Sequence, residues 1–496
     1  MNFVASALRQ VDEHGWRDRP AFHAGGSWWT HGEVHDLAAG LAGELAARSV
    51  SAGQRVVVAQ RDGIGLVATF LAVARLGATA VLANPLLTAP EHGHIAADSG
   101  AVLAVADEDV VAHFPGIGVD AGEVLDGART REPLPPKDVP PDEPLYIQYT
   151  SGTTGTPKGV VHAHEDPVLY HRLVGEGVFH VGPDDVHLSL SKLYFAYGFG
   201  NALAFPLMSG SSAVLIPERP TPEDIRAAVE RHRVTLLYAV PSAYAKLVRQ
   251  GNPEEFRSIR AAVSAGEPLT PELGERAGAL LSAPVLDQLG CTEVGHAFCA
   301  NTVTHNTPGS LGVAVPGYEL EVRDENGEDV GPGGEGELWV RGPTLLRGYL
   351  NRPEATAEVL VDGWFNTRDR VTTDEGGHVW YLGRTDDLEM VGGITVSPVE
   401  IEMILSRHGG IAECAVMSVP DEDGASKLRA FVVPKADQDL GVLEEELISA
   451  ARAELAPYKV PRSVTVLAEG LPRTDNGKLS RTELRDRVLR GPLLPN

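Results

Sequence analysis

The sequence predicts an α/β protein in two parts. One is a large N-terminal domain of helix-covered, mainly parallel sheets plus a small barrel-like sheet. The other is a small α+β C-terminal domain. Three observations predict this. The chain has 496 residues, too many for one compact core. In its first half β-branched runs alternate with helical repeats, the rhythm of a parallel sheet covered by helices. Beyond about residue 310, Gly-rich turns and short alternating strands take over, as in a small antiparallel sheet or barrel.

Leu37, Leu41 and Leu45 recur every four residues and mark a helix face. Arg55 to Ala59 (RVVVA) reads as a strand, Gly65 to Leu76 as a helix and Thr79 to Leu82 as a strand. Arg75 and Gly77 interrupt the apolar stretch Leu66–Leu82, which is too short for a membrane span. Six prolines between Pro133 and Pro144 stiffen one segment. Because βα units continue on both sides, it reads as a surface connection inside one large domain. Later come the turns Glu325-Asn326-Gly327 and Gly331 to Gly336, and the alternating strand Glu337 to Arg341. The last hundred or so residues fit strands at Cys414–Val419, Arg429–Val433 and Ser463–Leu467, with a helix at Leu443–Leu455.

Lys plus Arg number 42 against 68 Asp plus Glu, a net charge of −26, which disfavours nucleic acid as a partner. Cys291, Cys299 and Cys414 make neither a disulfide framework nor a metal quartet, and read as reduced thiols of a cytoplasmic protein. Met1 to Gln10 lacks the build of a signal peptide.

The strongest chemical signal is Tyr149-Thr-Ser-Gly-Thr-Thr-Gly-Thr-Pro-Lys158-Gly-Val160, after the apolar strand Leu145–Tyr149. Its glycines let backbone approach a ligand closely. Its hydroxyls and N–H groups offer donors to phosphate oxygens, and Lys158 adds a cation. It is not a Walker A loop, because Pro157 precedes Lys158 and Gly159 follows it.

That string resembles the signature of the adenylate-forming superfamily, which includes acyl- and aryl-CoA synthetases, adenylation domains and luciferases. Further motifs follow in the family's order. They are Gly266-Glu267-Pro268, Asp287-Gln-Leu-Gly-Cys-Thr-Glu293, Asp369, Gly383-Arg384-Thr385-Asp386 and Pro472-Arg-Thr-Asp-Asn-Gly-Lys478. The resemblance implies two steps. A carboxylate attacks the α-phosphate of ATP to give an acyl-adenylate, and a thiol then displaces AMP. It implies catalytic roles for Lys478, Thr292, Glu293 and Lys158. It places ATP against Thr150, Ser151, Gly152, Thr153, Thr154, Gly155, Gly266, Glu267, Pro268, Asp287, Gln288, Leu289, Gly290, Asp369 and Arg384. Glu293 would hold Mg²⁺, a hard cation suited to carboxylate and phosphate oxygen. Asp386 would be the hinge between a domain of residues 1–385 and a mobile domain of residues 386–496.

The segments Ser191–Asn201, Gly290–Phe298 and Gly393–Glu400 are similar to benzoate–CoA ligases. That likeness puts Ala196, Tyr197, Gly198, Leu289 and His296 around a small aromatic acid, with CoA or a carrier-protein thiol as acceptor. Tyr and His join a flat body to a polar tip, which suits a hydroxy- or amino-substituted ring. Aromatic runs such as Tyr194-Phe195 are equally the stuff of plain core, and His296 fits a structural role as well. Four positions depart from the common pattern: Leu289 for an aromatic, Arg368 for Gly, Met390 for Lys and Phe195 for His. Arg368 would add bulk beside Asp369. Two rival readings stand beside the CoA ligase. One is an enzyme that spends the adenylate on another ligation or on oxidation, and the other is a catalytically silent nucleotide-binding relative.

Overall fold

The computed structural model describes residues 2–150, 157–387, 389–391, 394–420, 426–435, 438, 440–455, 457–474 and 477–490. Two mainly parallel sheets carry its first part. In the first, strands run in the order Gly118–Asp120, Leu103–Ala106, Arg55–Ala59, Thr79–Leu82, Pro144–Thr150 and Lys158–Ala163. All are parallel except the last pair, an antiparallel hairpin that sets Thr150 opposite Lys158.

The second sheet has nine strands. Its parallel centre is ordered Val285–Gly290, Ala261–Ser264, Leu236–Ala239, Val186–Ser189 and Ser212–Val214. These strands are short and buried on both faces, and so lack period-two alternation.

Helices separate the sheets. Ile64–Arg75 is buried along nearly its whole length and packs on His31–Ala47. The latter starts at a capping box: Thr30 Oγ1 accepts from the Glu33 N–H, and the Glu33 carboxylate accepts from the Thr30 N–H. One apolar cluster draws Val56, Val58 and Tyr146 from one sheet and Leu236, Tyr238 and Val263 from the other. Each such side chain, fully buried, contributes about 1.5–3 kcal/mol. The proline-rich segment packs on these helices as a surface connection. The Leu134 N–H donates to Ala39 O, and Arg75 Nε donates to Leu134 O at 2.7 Å.

The barrel-like sheet pairs Glu319–Arg323, Glu335–Arg341, Trp364–Thr373, Leu360–Val361 and Val379–Arg384, all antiparallel. Beyond it stand a hairpin, Glu389–Val391 with Ile394–Val396, and a sheet of Ile411–Pro420, Ser426–Pro434 and Ser463–Val466. The latter is flanked by the helices Pro398–Leu405, Leu440–Glu454 and Arg481–Arg490. The apolar side chains here form clusters of their own, around Ile401, Val432 and Leu447 and around Met417 and Leu484. Among the described residues no helix is long and apolar enough to cross a membrane, and all three cysteines are free thiols.

Candidate active site

The predicted site residues gather where parallel strands end. Pro144–Thr150 leads into the Gly-rich loop, Ala261–Ser264 into Gly266-Glu267, and Val285–Gly290 into Thr292-Glu293. Carboxyl ends of parallel strands are where open α/β sheets bind ligands. Ser151, Gly152, Thr153, Thr154 and Gly155 lie outside the described residues. Their flanks are held by the hairpin, and Tyr149 donates its hydroxyl to Asp98 at 2.8 Å.

Lys158 lies over the Tyr349 ring, its Nζ 5.1 Å from the centroid. Tyr349 in turn donates to Glu293 Oε1 at 2.8 Å. Tyr349 thus joins two residues 135 apart in sequence, a link that the motifs do not reveal.

The Thr292–Val294 turn is pinned at each carbonyl. His162 Nε2 donates to Thr292 O at 2.7 Å, the Leu346 N–H to Glu293 O at 2.7 Å and Thr344 Oγ1 to Val294 O at 2.7 Å. The other nitrogen of His162 meets Asp166 Oδ2 at 2.8 Å, and both side chains are wholly buried. Asp166 also accepts from the Ala163 N–H and from Arg347.

Asp369 pairs with Arg384. Their strands place them opposite one another, and Arg384 Nη1 lies 3.4 Å from Asp369 Oδ1. The strand carrying Asp369 bulges here: Glu337 pairs with Arg370 but Trp339 with Asn366. Arg368 sits in that bulge with φ 61°, in the left-handed region. This is why glycine is common there, and bulges beside active sites re-aim side chains. The bulk expected beside Asp369 goes elsewhere, since the Arg368 guanidinium lies 4.0 Å from Glu358.

Asp287 and Gln288 are buried, and Leu289 packs half-buried on the main core. Burial pushes the Asp287 carboxyl up to about 8, against hydrogen bonds from Ser264 and the backbone. Gly290 lets the strand pass close to the next turn, since a Cβ there would come within 2.7 Å of His296 O.

Lys478 is solvent-exposed yet walled in. The surrounding protein lowers its pKa, while Glu267 and Asp369 pull it back up. Gly266 has φ 88°, and a Cβ on it would stand 2.9 Å from Lys478 Cε. The lysine stem therefore lies directly over this glycine.

Ala196, Tyr197 and Gly198 start a short buried helix beside His296. His296 is buried between Tyr170, its ring centroid 5.6 Å away, and Phe205, 5.0 Å away. Its Nε2 lies 3.0 Å from Asn201 Oδ1, while Nδ1 is buried without a partner. Burial pushes its pKa down to about 3, so the ring is neutral. Tyr197 differs from expectation: its hydroxyl donates to Val263 O at 3.0 Å, so its polar tip is engaged by the backbone. Asn201, Tyr170 and Phe205 were not foreseen as its neighbours. The Asp386 backbone belongs to the turn Thr385–Asp387, and its side chain lies outside the described residues, as does that of Met390.

The Asp369–Arg384 pair and the Lys478 stem over Gly266 thus stand together beside the turn that carries Thr292 and Glu293. The chain belongs to the AMP-binding enzyme family. Residues 9–350 match that family's model, and residues 400–478 match the model of its C-terminal domain. It is 39% identical over 487 residues to a p-hydroxybenzoic acid–AMP ligase of Mycobacterium tuberculosis, a match covering 98% of this chain and 68% of that protein. It is 36% identical over 456 residues to a benzoate–CoA ligase of Thauera aromatica, covering 87% and 85%. Among solved structures, an anthranilate CoA ligase in complex with anthranoyl-AMP superposes with a TM-score of 0.91 at 30% identity, covering 98% and 97%. A benzoate CoA ligase of Burkholderia xenovorans LB400 gives 0.90 at 32%, covering 98% and 100%.

Proposed function

We propose that this chain activates a benzoate-like acid, hydroxy- or amino-substituted, with ATP and passes the acyl group to the thiol of CoA. The observation that carries this is the meeting of Lys478 with the Gly266 turn, beside the Asp369–Arg384 pair. Forming the adenylate brings two anions together, so a cation must stand where they meet. Lys478 bridges the carboxylate and the α-phosphate. The carboxylate oxygen bonds to phosphorus as the α–β anhydride breaks and pyrophosphate leaves. The thiol then adds to the acyl carbon and AMP departs.

Asp369 accepts from the ribose hydroxyls. Glu293 suits Mg²⁺: Tyr349 donates to its Oε1 and orients the carboxylate, and substrate phosphates would complete such a shell. Held by Glu293, Mg²⁺ would screen phosphate charge. Thr292 supplies a hydroxyl to the α-phosphate, and the loop of Thr150 to Lys158 cradles the rest.

His296 faces the ring. With hydrogen on Nε2 toward Asn201, Nδ1 is an acceptor for a ring hydroxyl or amino group. The division at Asp386 lets residues 386–496 turn between the two steps, as two reactions at one pocket require. The intact Lys158, Glu293, Asp369 and Lys478 speak against a silent relative. The free thiols suit the cytoplasm. Transfer to a carrier protein is the second reading, favoured by the relative that is an AMP ligase and extends beyond this match.

The test is incubation with ATP, Mg²⁺, CoA and a panel of benzoate, its hydroxy and amino derivatives, and octanoate, read by mass. Aryl-CoA from substituted benzoates is expected to exceed octanoyl-CoA widely, because a site built for a ring hydrogen bond rejects partners that leave it unpaired. His296→Ala should relax the choice between substituted and plain benzoate more than it alters the KM for ATP. A preference for octanoate overturns the aryl reading, and adenylate without thioester favours the carrier.

A further inference from the structure

Arg473 has no part in the chemistry above, yet it links the Lys478 turn directly to the large domain. The turn is closed by the Gly477 N–H donating to Thr474 O and the Thr474 N–H donating to Lys478 O, both at 2.8 Å. Arg473 and Leu479 bridge at its base. Arg473 Nη1 donates to Gly477 O at 2.8 Å, which fixes the residue next to the lysine. The same nitrogen donates to Glu267 Oε1 at 2.7 Å, while Nη2 donates to Glu413 Oε2 at 3.0 Å. Glu267 follows Gly266, the residue under the Lys478 stem, and its other oxygen accepts from the Ser242 N–H at 3.1 Å. The side chains of Arg473, Glu267 and Glu413 are 14%, 13% and 18% exposed, so water screens them little.

We propose that Arg473 is a positioning residue that docks the lysine-bearing turn for adenylate formation. This rests on the acid-activating reading above. One guanidinium fork ties together the turn, the C-terminal sheet through Glu413 and the nucleotide side through Glu267. A planar fork holds these acceptors on two separate nitrogens in a fixed geometry, where a lysine offers a single point charge. Two carboxylates converge on it. Without Arg473 they face each other uncompensated, and the docked orientation loses its anchor. Only the orientation that brings Lys478 over Gly266 contains the Glu267 contact. The pair therefore favours that orientation over any in which the small domain has turned away.

The test compares Arg473→Ala and Arg473→Lys with the unchanged chain in two half-reactions. Pyrophosphate exchange should fall about 10- to 100-fold in Arg473→Ala, the scale of breaking a desolvated charge pair, and less in Arg473→Lys. Thioester formation from supplied aryl-adenylate should change by about 2-fold at most, because Glu267 and Arg473 separate for it.

An activity-free arm measures acetylation of Lys478 by acetic anhydride, read by mass. Labelling should speed up in Arg473→Ala while Tm holds in Arg473→Lys. Equal loss in both half-reactions or unchanged labelling overturns the proposal. Absence of exchange in the unchanged chain with every acid would instead sink the acid-activating reading, and the labelling arm would still decide the role of Arg473.

Discussion

Arg368 is a residue whose conformation explains more than its chemistry. At φ 61° an L side chain crowds its own carbonyl, at a cost of about 1–2 kcal/mol. The bulge holds it there nonetheless: the Arg368 N–H donates to Asn366 Oδ1 at 2.8 Å and the Asp369 N–H to Thr367 Oγ1 at 3.1 Å. These bonds turn Asp369 inward whatever side chain stands at 368. Arg368→Gly should relieve the crowding and give back part of the gain as chain entropy, so Tm should stay level or rise slightly. Arg368→Val should lower it, because a β-branched residue tolerates this region least. The KM for ATP should stay within about 2-fold in Arg368→Gly, since the guanidinium points to Glu358 and one exposed ion pair is worth little. A rise of ATP KM well beyond that would mean that Arg368 reaches the nucleotide.

The Thr292–Val294 turn shows what an element asks of its surroundings. Both nitrogens of His162 meet oxygens that only accept here, Thr292 O and an Asp166 carboxylate already bonded by Arg347 and the Ala163 N–H. The imidazole is thus held at both ends, between Thr292 O and Asp166, beneath the stacked Tyr146 ring. His162→Leu strips the turn of one anchor and leaves Asp166 short of a hydrogen-bond partner, which costs about 1–3 kcal/mol. Adenylate formation should fall more than Tm alone explains, and His162→Gln, which keeps a donor for Thr292 O, should recover part of kcat. Equal kcat in the Gln and Leu variants would reduce His162 to a core residue. This anchor was not legible in the sequence. The strands Arg55–Ala59 and Thr79–Leu82 were, because a β-branched or apolar run bounded by turns is local information. Lys158 and Lys478 were singled out through motif resemblance, and the structure sets Lys158 against Tyr349 and Lys478 over Gly266. His162 to Thr292 spans 130 positions and Arg473 to Glu267 spans 206, and such pairings exist only once the strands have been ordered. The one local hint at His162 was an Asp four residues on, directly after the loop strand. Arg368 was visible as a departure, but the bulge that asks for glycine appears only in the pairing register.

Across the whole molecule, buried imidazoles set the response to acid. Burial is the main cause that lowers His31 and His164 to about 4, and His35, His187 and His296 to about 3, from 6.5. Each stays neutral when folded and takes a proton near pH 6.5 only after unfolding. Their contribution is complete above pH 6.5 and is lost as pH falls from there toward 3 to 4. Between pH 7.5 and 5 each loses about 2 kcal/mol of stability. Two buried carboxyls work the other way. Burial raises Asp62 to about 6 and Asp287 to about 8, so both fold more readily protonated, and their contribution grows as pH falls through those values. Asp287 gains the most, yet two gains do not offset five losses. The net charge of −26 also shrinks on acidification, but exposed charges are screened at ordinary salt and count for less than buried ones. Tm should therefore hold between pH 8 and 7 and fall steadily from pH 6.5 to 5, with calorimetry at 0.15 M salt as the measurement. His187→Asn should soften the slope, since it removes one proton taken up on unfolding. A Tm that rises over that interval would mean that the carboxyls, Asp287 foremost, outweigh the imidazoles.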